Sequence, residues 1–195
     1  TRKEASLWRG FPMGISMTDG PVACANVGLP LDFNFRLAGI VDESVVDGPG
    51  VRLVVFAQGC PHHCPGCHNP HTWNMDGGAL VAAEEIVERL RANPVLAGVT
   101  LSGGEPFAQA SRFGTLAATI REMGLSVMTY TGYTWEDIVR SRSRGVRLLL
   151  NNTDILVDGP YVDSLKKPGL KWRGSSNQRI IDVQASLNSG GVALL

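Results

Sequence analysis

The chain has 195 residues, 44% of them apolar and 18% charged, with Lys plus Arg and Asp plus Glu equal at 18 each. That length fits one domain with a substantial core, and the balanced charge excludes a long-range field suited to nucleic acid, an anionic membrane or a strongly charged substrate. Nowhere do about 18 uncharged apolar residues run together, and the opening Thr1-Arg-Lys-Glu-Ala-Ser6 lacks the apolar core of a signal peptide, so a cytoplasmic protein is expected.

Residues 1–34 mix glycine, proline and isolated apolar residues with neither a helical nor a strand period, and read as a weakly structured extension in which Met13 and Met17 are alternative starts. Arg52-Leu-Val-Val-Phe-Ala57, bounded by Gly48-Pro-Gly50 and Gly59, predicts a buried strand. Over 79–93, Leu80, Ala83, Ile86, Val87 and Leu90 share one face while Glu84, Glu85, Glu88 and Arg91 lie elsewhere, which predicts an amphipathic helix ending at Asn93-Pro94. A short strand over 99–101 then runs into Ser102-Gly-Gly-Glu-Pro106, followed by a helix carrying Phe113, Leu116, Ala117, Ile120 and Met123 up to Gly124. Further strands are expected over 125–130, 154–158 and 179–183, with a helix over 135–144. Strands alternating with helices imply an α/β fold with a parallel sheet, and such sheets bind ligands at the carboxyl ends of their strands. The cysteine-rich loop, the Gly103-Gly104 turn, Thr129-Tyr-Thr131 and Asp158 all fall at those ends.

Three of the four cysteines, Cys60, Cys64 and Cys67, lie within eight residues, and Cys24 stands far upstream, which is poor material for a disulfide framework. In Cys60-Pro-His-His-Cys64-Pro-Gly-Cys67, Pro61, Pro65 and Gly66 shape a tight non-helical loop, and soft thiolates select zinc, copper(I) or iron–sulfur centres. A cubane cluster with three thiolate ligands leaves one iron open to a substrate or cofactor. A structural Cys3His zinc site completed by His62, His63, His68 or His71, or a thiol redox role, uses the same residues. In Ser102-Gly-Gly-Glu-Pro106, Gly103 and Gly104 permit close backbone approach and Glu105 offers a carboxylate to a cation. The bare alternative is a strand-to-helix turn with Pro106 in the first helical turn.

Cys-x3-Cys-x2-Cys directly after a first strand resembles the cluster motif of the radical S-adenosylmethionine superfamily. Val46-Asp-Gly-Pro-Gly-Val-Arg52, Gln58-Gly-Cys60 and Cys67-His-Asn-Pro70 resemble the opening of the glycyl-radical-enzyme activases. Thr131-Gly-Tyr-Thr-Trp135, Ile155-Leu-Val-Asp-Gly-Pro160 and Trp172-Arg-Gly-Ser-Ser-Asn-Gln-Arg179 resemble the activases that serve anaerobic ribonucleoside-triphosphate reductase. The likeness spans about residues 35 to 185 and implies a partial, open β/α barrel over 35–187 followed by a tail over 188–195.

It also implies one [4Fe–4S] cluster on Cys60, Cys64 and Cys67, with S-adenosylmethionine chelating the fourth iron. Gly66, Cys67 and His68 would line the adenine side, His68 nearest the cofactor, although many members of the superfamily carry an aromatic residue where this chain has Gly66. Gly103, Gly104 and Glu105 would take the methionine end, and Thr129, Tyr130 and Asp158 would make further contacts. The implied reaction is reductive cleavage of the sulfonium, fed by a one-electron donor such as flavodoxin. Its product, a 5′-deoxyadenosyl radical, takes the α-hydrogen of one glycine on the partner reductase. A radical enzyme acting on a small molecule, and a zinc-binding interaction module, are the competing readings.

Overall fold

The computed structural model describes residues 31–195; the extension expected before them, with Cys24, lies outside the described residues up to residue 30. Among the described residues eight strands form one sheet. In chain order the elements are β1 (Asn34–Ser44), β2 (Arg52–Ala57), β3 (Ala79–Ala82), α1 (Ala83–Ala92), β4 (Gly98–Gly103), α2 (Ala110–Glu122) and β5 (Ser126–Tyr130). They continue as α3 (Trp135–Arg140), α4 (Arg144–Asn151), β6 (Ile155–Asp158), β7 (Arg179–Asp182), α5 (Val183–Ser189) and β8 (Ala193–Leu194). The sheet order is β3-β1-β2-β4-β5-β6-β7-β8, and it does not close on itself.

Its centre is parallel, β2 on β4, β4 on β5 and β5 on β6, as alternating strands and helices demand. The flanks are antiparallel: β1 pairs with both β2 and β3, β7 with β6, and β8 with β7. Two expectations change accordingly. The helix expected over 79–93 starts only at Ala83, because residues 79–82 lie along the free edge of β1, Asn34 opposite Ala82 and Leu37 opposite Ala79. The helix expected over 135–144 is two helices, since Ser141 leaves the helical conformation and Ser143 Oγ caps α4 through the Val146 amide. β1 shows no clean alternation in sequence because its pairing with β2 shifts register twice.

The core lies on one face of the sheet. Leu53, Val55, Val99, Leu101, Val127 and Leu156 point into one cluster with residues from each of α1 to α5, among them Ile86, Phe113, Ile138, Leu149 and Val183. The alternate residues Arg52, Val54, Thr100 and Met128 face the opposite way and are also buried. There residues 45–51 fold back over the amino ends of the strands. Gly48, at φ +139°, is so close that a Cβ would come within 2.6 Å of Arg52 Cδ and 2.8 Å of Met128 Sδ.

Arg52 is the largest fully buried side chain in the described residues. Its guanidinium donates to Thr100 Oγ1 (2.8 Å), Val99 O (2.6 Å), Ser126 Oγ (2.9 Å), Ser126 O (3.1 Å) and Pro49 O (3.2 Å), joining β2, β4, β5 and the covering loop. Burial lowers its pKa to about 10, which leaves it charged at neutral pH. One row nearer the carboxyl ends, Phe56, Ser102 and Tyr130 are only half-buried, so this face opens toward that end.

Arg52→Met is expected to cost about 3 kcal/mol or more, because it strands several buried acceptors at once. Urea denaturation of the purified protein measures this, and a loss below about 1 kcal/mol would show that the acceptors find other donors.

Candidate functional site

The cysteine loop leaves the carboxyl end of β2. Its base is pinned by Gly59 N to Thr72 O (2.8 Å) and Cys60 N to Trp73 O (3.2 Å), and its far end by Cys67 N to Cys64 O (3.1 Å). His63 (φ +48°) and Gly66 (φ +75°) make the reversals. Cys60 is buried and Cys64 and Cys67 are half-buried, all three as free thiols, while His63, Pro65, Gly66 and His68 are exposed.

Burial, seconded by Glu105 and Cys64, raises the Cys60 thiol to about 11 against the opposing backbone hydrogen bonds of His62 and His63. Cys64 is raised by burial and by Cys67. Neighbouring thiols in the loop thus disfavour each other's ionisation, which a cationic centre would reverse by converting them to thiolates. This donor set fits a thiolate-bound iron–sulfur group. Among the described residues no three His, Cys, Asp or Glu side chains already stand as a set for a single metal ion.

The turn after β4 nests against the base of that loop. Gly104 N donates to Ala57 O (2.8 Å) and Glu105 N to Gly59 O (2.8 Å). A Cβ on Gly103 would lie 2.6 Å from Ala57 N, and one on Gly104 would lie 2.4 Å from Gly59 O. The two glycines are thus required by the approach of two backbones, whatever else they contact.

Glu105 is fully buried. Its Oε2 accepts from His62 Nε2 (2.8 Å), Gly132 N (2.9 Å) and Thr131 Oγ1 (3.0 Å), and Oε1 accepts from Phe107 N (3.0 Å). Only Oε1 keeps an unused lone pair for a cation.

The remaining predicted residues fall into two groups. Tyr130 projects from β5 onto the face without helices, and burial raises its hydroxyl pKa. His68 stands 5.0 Å from the Tyr161 ring, whose hydroxyl donates to Asp163 Oδ1 (2.7 Å); Asp163 in turn occupies the space beside Gly66, 2.8 Å from where its Cβ would be. Thr129 instead faces the helices and bonds Thr153 Oγ1 (3.0 Å). Asp158 is 1% exposed and is held by Arg179 Nε (3.0 Å), Arg179 Nη2 and Trp135 N (2.7 Å). Sequence reasoning placed Thr131 at the strand ends but gave no site role to Tyr133, Tyr161 or Asp163, whose approach to the loop depends on the folded strand ends.

The polar run 173–177 builds its own loop. Gln178 Oε1 accepts from Gly174 N (2.8 Å) and Ser175 N (3.1 Å), and Gln178 Nε2 donates to Gly159 O (3.0 Å). Ser175 Oγ accepts from Val162 N (3.1 Å), which ties that loop to the segment bearing Tyr161.

Residues 46–181 match the 4Fe–4S single cluster domain family. The anaerobic ribonucleoside-triphosphate reductase-activating protein of Salmonella typhi is 36% identical over 142 residues, 69% of this chain and 90% of that protein. The chain belongs to this 4Fe–4S single cluster family. The protein of the same name from Enterobacteria phage T4 is 34% identical over 69% of this chain and 86% of its own length. The pyruvate formate-lyase-activating enzyme of Clostridium pasteurianum is 38% identical over 66% of this chain but only 53% of its own. A looser likeness joins the chain to the crystal structure of QueE from Escherichia coli, with a TM-score of 0.42 and 18% identity over 52% of this chain and 54% of that one.

Two outcomes are expected. Gly104→Val forces Gly59 away and drags Cys60 with it, so iron bound after anaerobic reconstitution should fall by roughly half or more; full iron loading would show that the two backbones can separate without moving Cys60.

The second concerns Glu136, whose carboxyl Arg179 holds at about 2, well below its ordinary 4.5. A carboxyl of lowered pKa stabilises the fold fully above 4.5 and loses that contribution as pH falls toward 2. The side chain is 44% exposed, so solvent screening keeps the effect small. Arg179→Gln should lower the urea midpoint more at about pH 6 than at about pH 2.5. An equal loss at both values would remove Glu136 from the pairing.

Proposed function

We propose that this chain is a radical S-adenosylmethionine activase that installs the glycyl radical of an anaerobic ribonucleoside-triphosphate reductase. The observation that carries the reading is the nesting of a three-thiol loop on a Gly103-Gly104-Glu105 turn, joined through the Glu105 carboxylate. Cys60, Cys64 and Cys67 hold one [4Fe–4S] cluster. Backbone groups of Gly103 and Gly104 receive the methionine end of the cofactor, with the charge of Glu105 buried behind them. Gly66, Cys67 and His68 line its adenine side, and Tyr130 borders the open face below. Thr129 and Asp158 act from behind, by fixing the strand ends through Thr153 and Arg179.

A reduced cluster held by these thiols would supply the one electron needed for reductive cleavage of S-adenosylmethionine, and with it the radical chemistry directed at the partner's glycine. The chain's own residues orient the cofactor and admit the partner. The exposure of His63, Pro65, Gly66 and His68 on the cysteine loop supports a macromolecular substrate, since a glycine-bearing loop of a partner can reach a site open at the surface. A flavodoxin-type donor would deliver the electron.

Anaerobically reconstituted protein should contain about four irons and four sulfides per chain, and Cys60→Ala, Cys64→Ala or Cys67→Ala should each remove the cluster. With reductant and S-adenosylmethionine, a glycyl doublet should appear by electron paramagnetic resonance on the anaerobic reductase. A doublet on pyruvate formate-lyase and none on the reductase would overturn the partner. Stoichiometric zinc without acid-labile sulfide would overturn the chemistry.

A further inference from the structure

His62 is placed by more than its position in the loop. Its Nε2 donates to Glu105 Oε2 at 2.8 Å, an oxygen that already accepts from Thr131 Oγ1 and Gly132 N, so the imidazole is the donor. Its ring fills the space over Gly132, where a Cβ would lie 2.4 Å from His62 Cδ2. It also stands edge-on to Tyr133, centroids 4.4 Å apart at 70°. A ring held by a buried carboxylate, a glycine slot and an aromatic edge, from two segments remote in sequence, has one orientation.

We propose that His62 is a positioning residue: through Glu105 it fixes the cysteine loop at one distance from the Gly103-Gly104 turn and from the 131–133 turn, and thereby sets how the cofactor meets the cluster. This rests on the reading of the loop as the cluster's holder. In this role His62 is not called on as a ligand: its Nε2 is spent on Glu105, and the three thiols supply the donor set. Glu105 keeps three donors without it, so the turn survives its loss.

The test compares His62→Ala, His62→Gln and Gly132→Ala with the wild type, all reconstituted anaerobically. Iron and sulfide per chain, the paramagnetic resonance spectrum of the reduced cluster with and without S-adenosylmethionine, and the cofactor's KM are read in each. His62→Ala should bind full iron yet lose most of the spectral change that S-adenosylmethionine induces, with KM raised roughly tenfold, about 1.4 kcal/mol. His62→Gln, which keeps a donor, should recover most of both. Gly132→Ala leaves His62 in place but pushes its ring from the slot, and should reproduce the His62→Ala spectrum.

Spectral change and KM equal to wild type in His62→Ala, or in Gly132→Ala, would overturn the proposal. So would iron lost from His62→Ala and not restored by His62→Gln, which would make the histidine a ligand. A wild type without a cluster would instead overturn the reading on which the proposal rests.

Discussion

A carboxylate sealed from water must have its charge met by donors, and Glu105 meets this condition with groups from three separate parts of the chain. Phe107 N comes from its own turn, Thr131 Oγ1 and Gly132 N from the end of β5, and His62 Nε2 from the cysteine loop. Withdrawing one donor weakens the arrangement; leaving the charge unmet would cost several kcal/mol. The three segments therefore hold a common geometry because the carboxylate between them permits few others. The cysteine loop, exposed along much of its length, borrows its order from this buried group.

Backbone contact adds a second constraint at the same end of the sheet. β2 and β4 remain in parallel register up to Ala57 and Gly103, and the chains leaving them are still hydrogen bonded at Gly59 and Glu105. Side chains at 103 and 104 would enter the space of that contact. At the opposite end Arg52 performs the corresponding task across β2, β4 and β5, and the 45–51 segment seals it from water. Between these two closures the half-buried row of Phe56, Ser102 and Tyr130 is left as the open part of the face. A site at the carboxyl ends follows from which end of the sheet is plugged.

The Asp158 and Arg179 pair ties the end of β6 to the start of α3. Asp158 accepts from the amide that starts α3 and from Arg179, which reaches on to Glu136. This holds the turn between β5 and α3, and with it Thr131, Gly132 and Tyr133, against the cysteine loop. The Gln178 loop does the same for Tyr161 from the other side.

Much of this was legible in the residues themselves. The apolar runs of β2 and β5, the glycine turn after β4 and the cysteine spacing depend on local sequence, and each appears where its pattern places it. So does the alternation that makes the centre of the sheet parallel. What only tertiary structure decided is whatever depends on partners distant in sequence. Residues 79–82 have a helical apolar pattern and become a strand because β1 offers an unpaired edge. Thr129 and Asp158 sit at strand ends as expected, but strand parity turns the first toward α4, and an arginine 21 residues away takes up the second. Glu105 shows the limit most clearly: its sequence motif supplies a carboxylate, and only the folding of three segments around it determines which donors that carboxylate accepts, because hydrogen-bond partners are a property of distance in space.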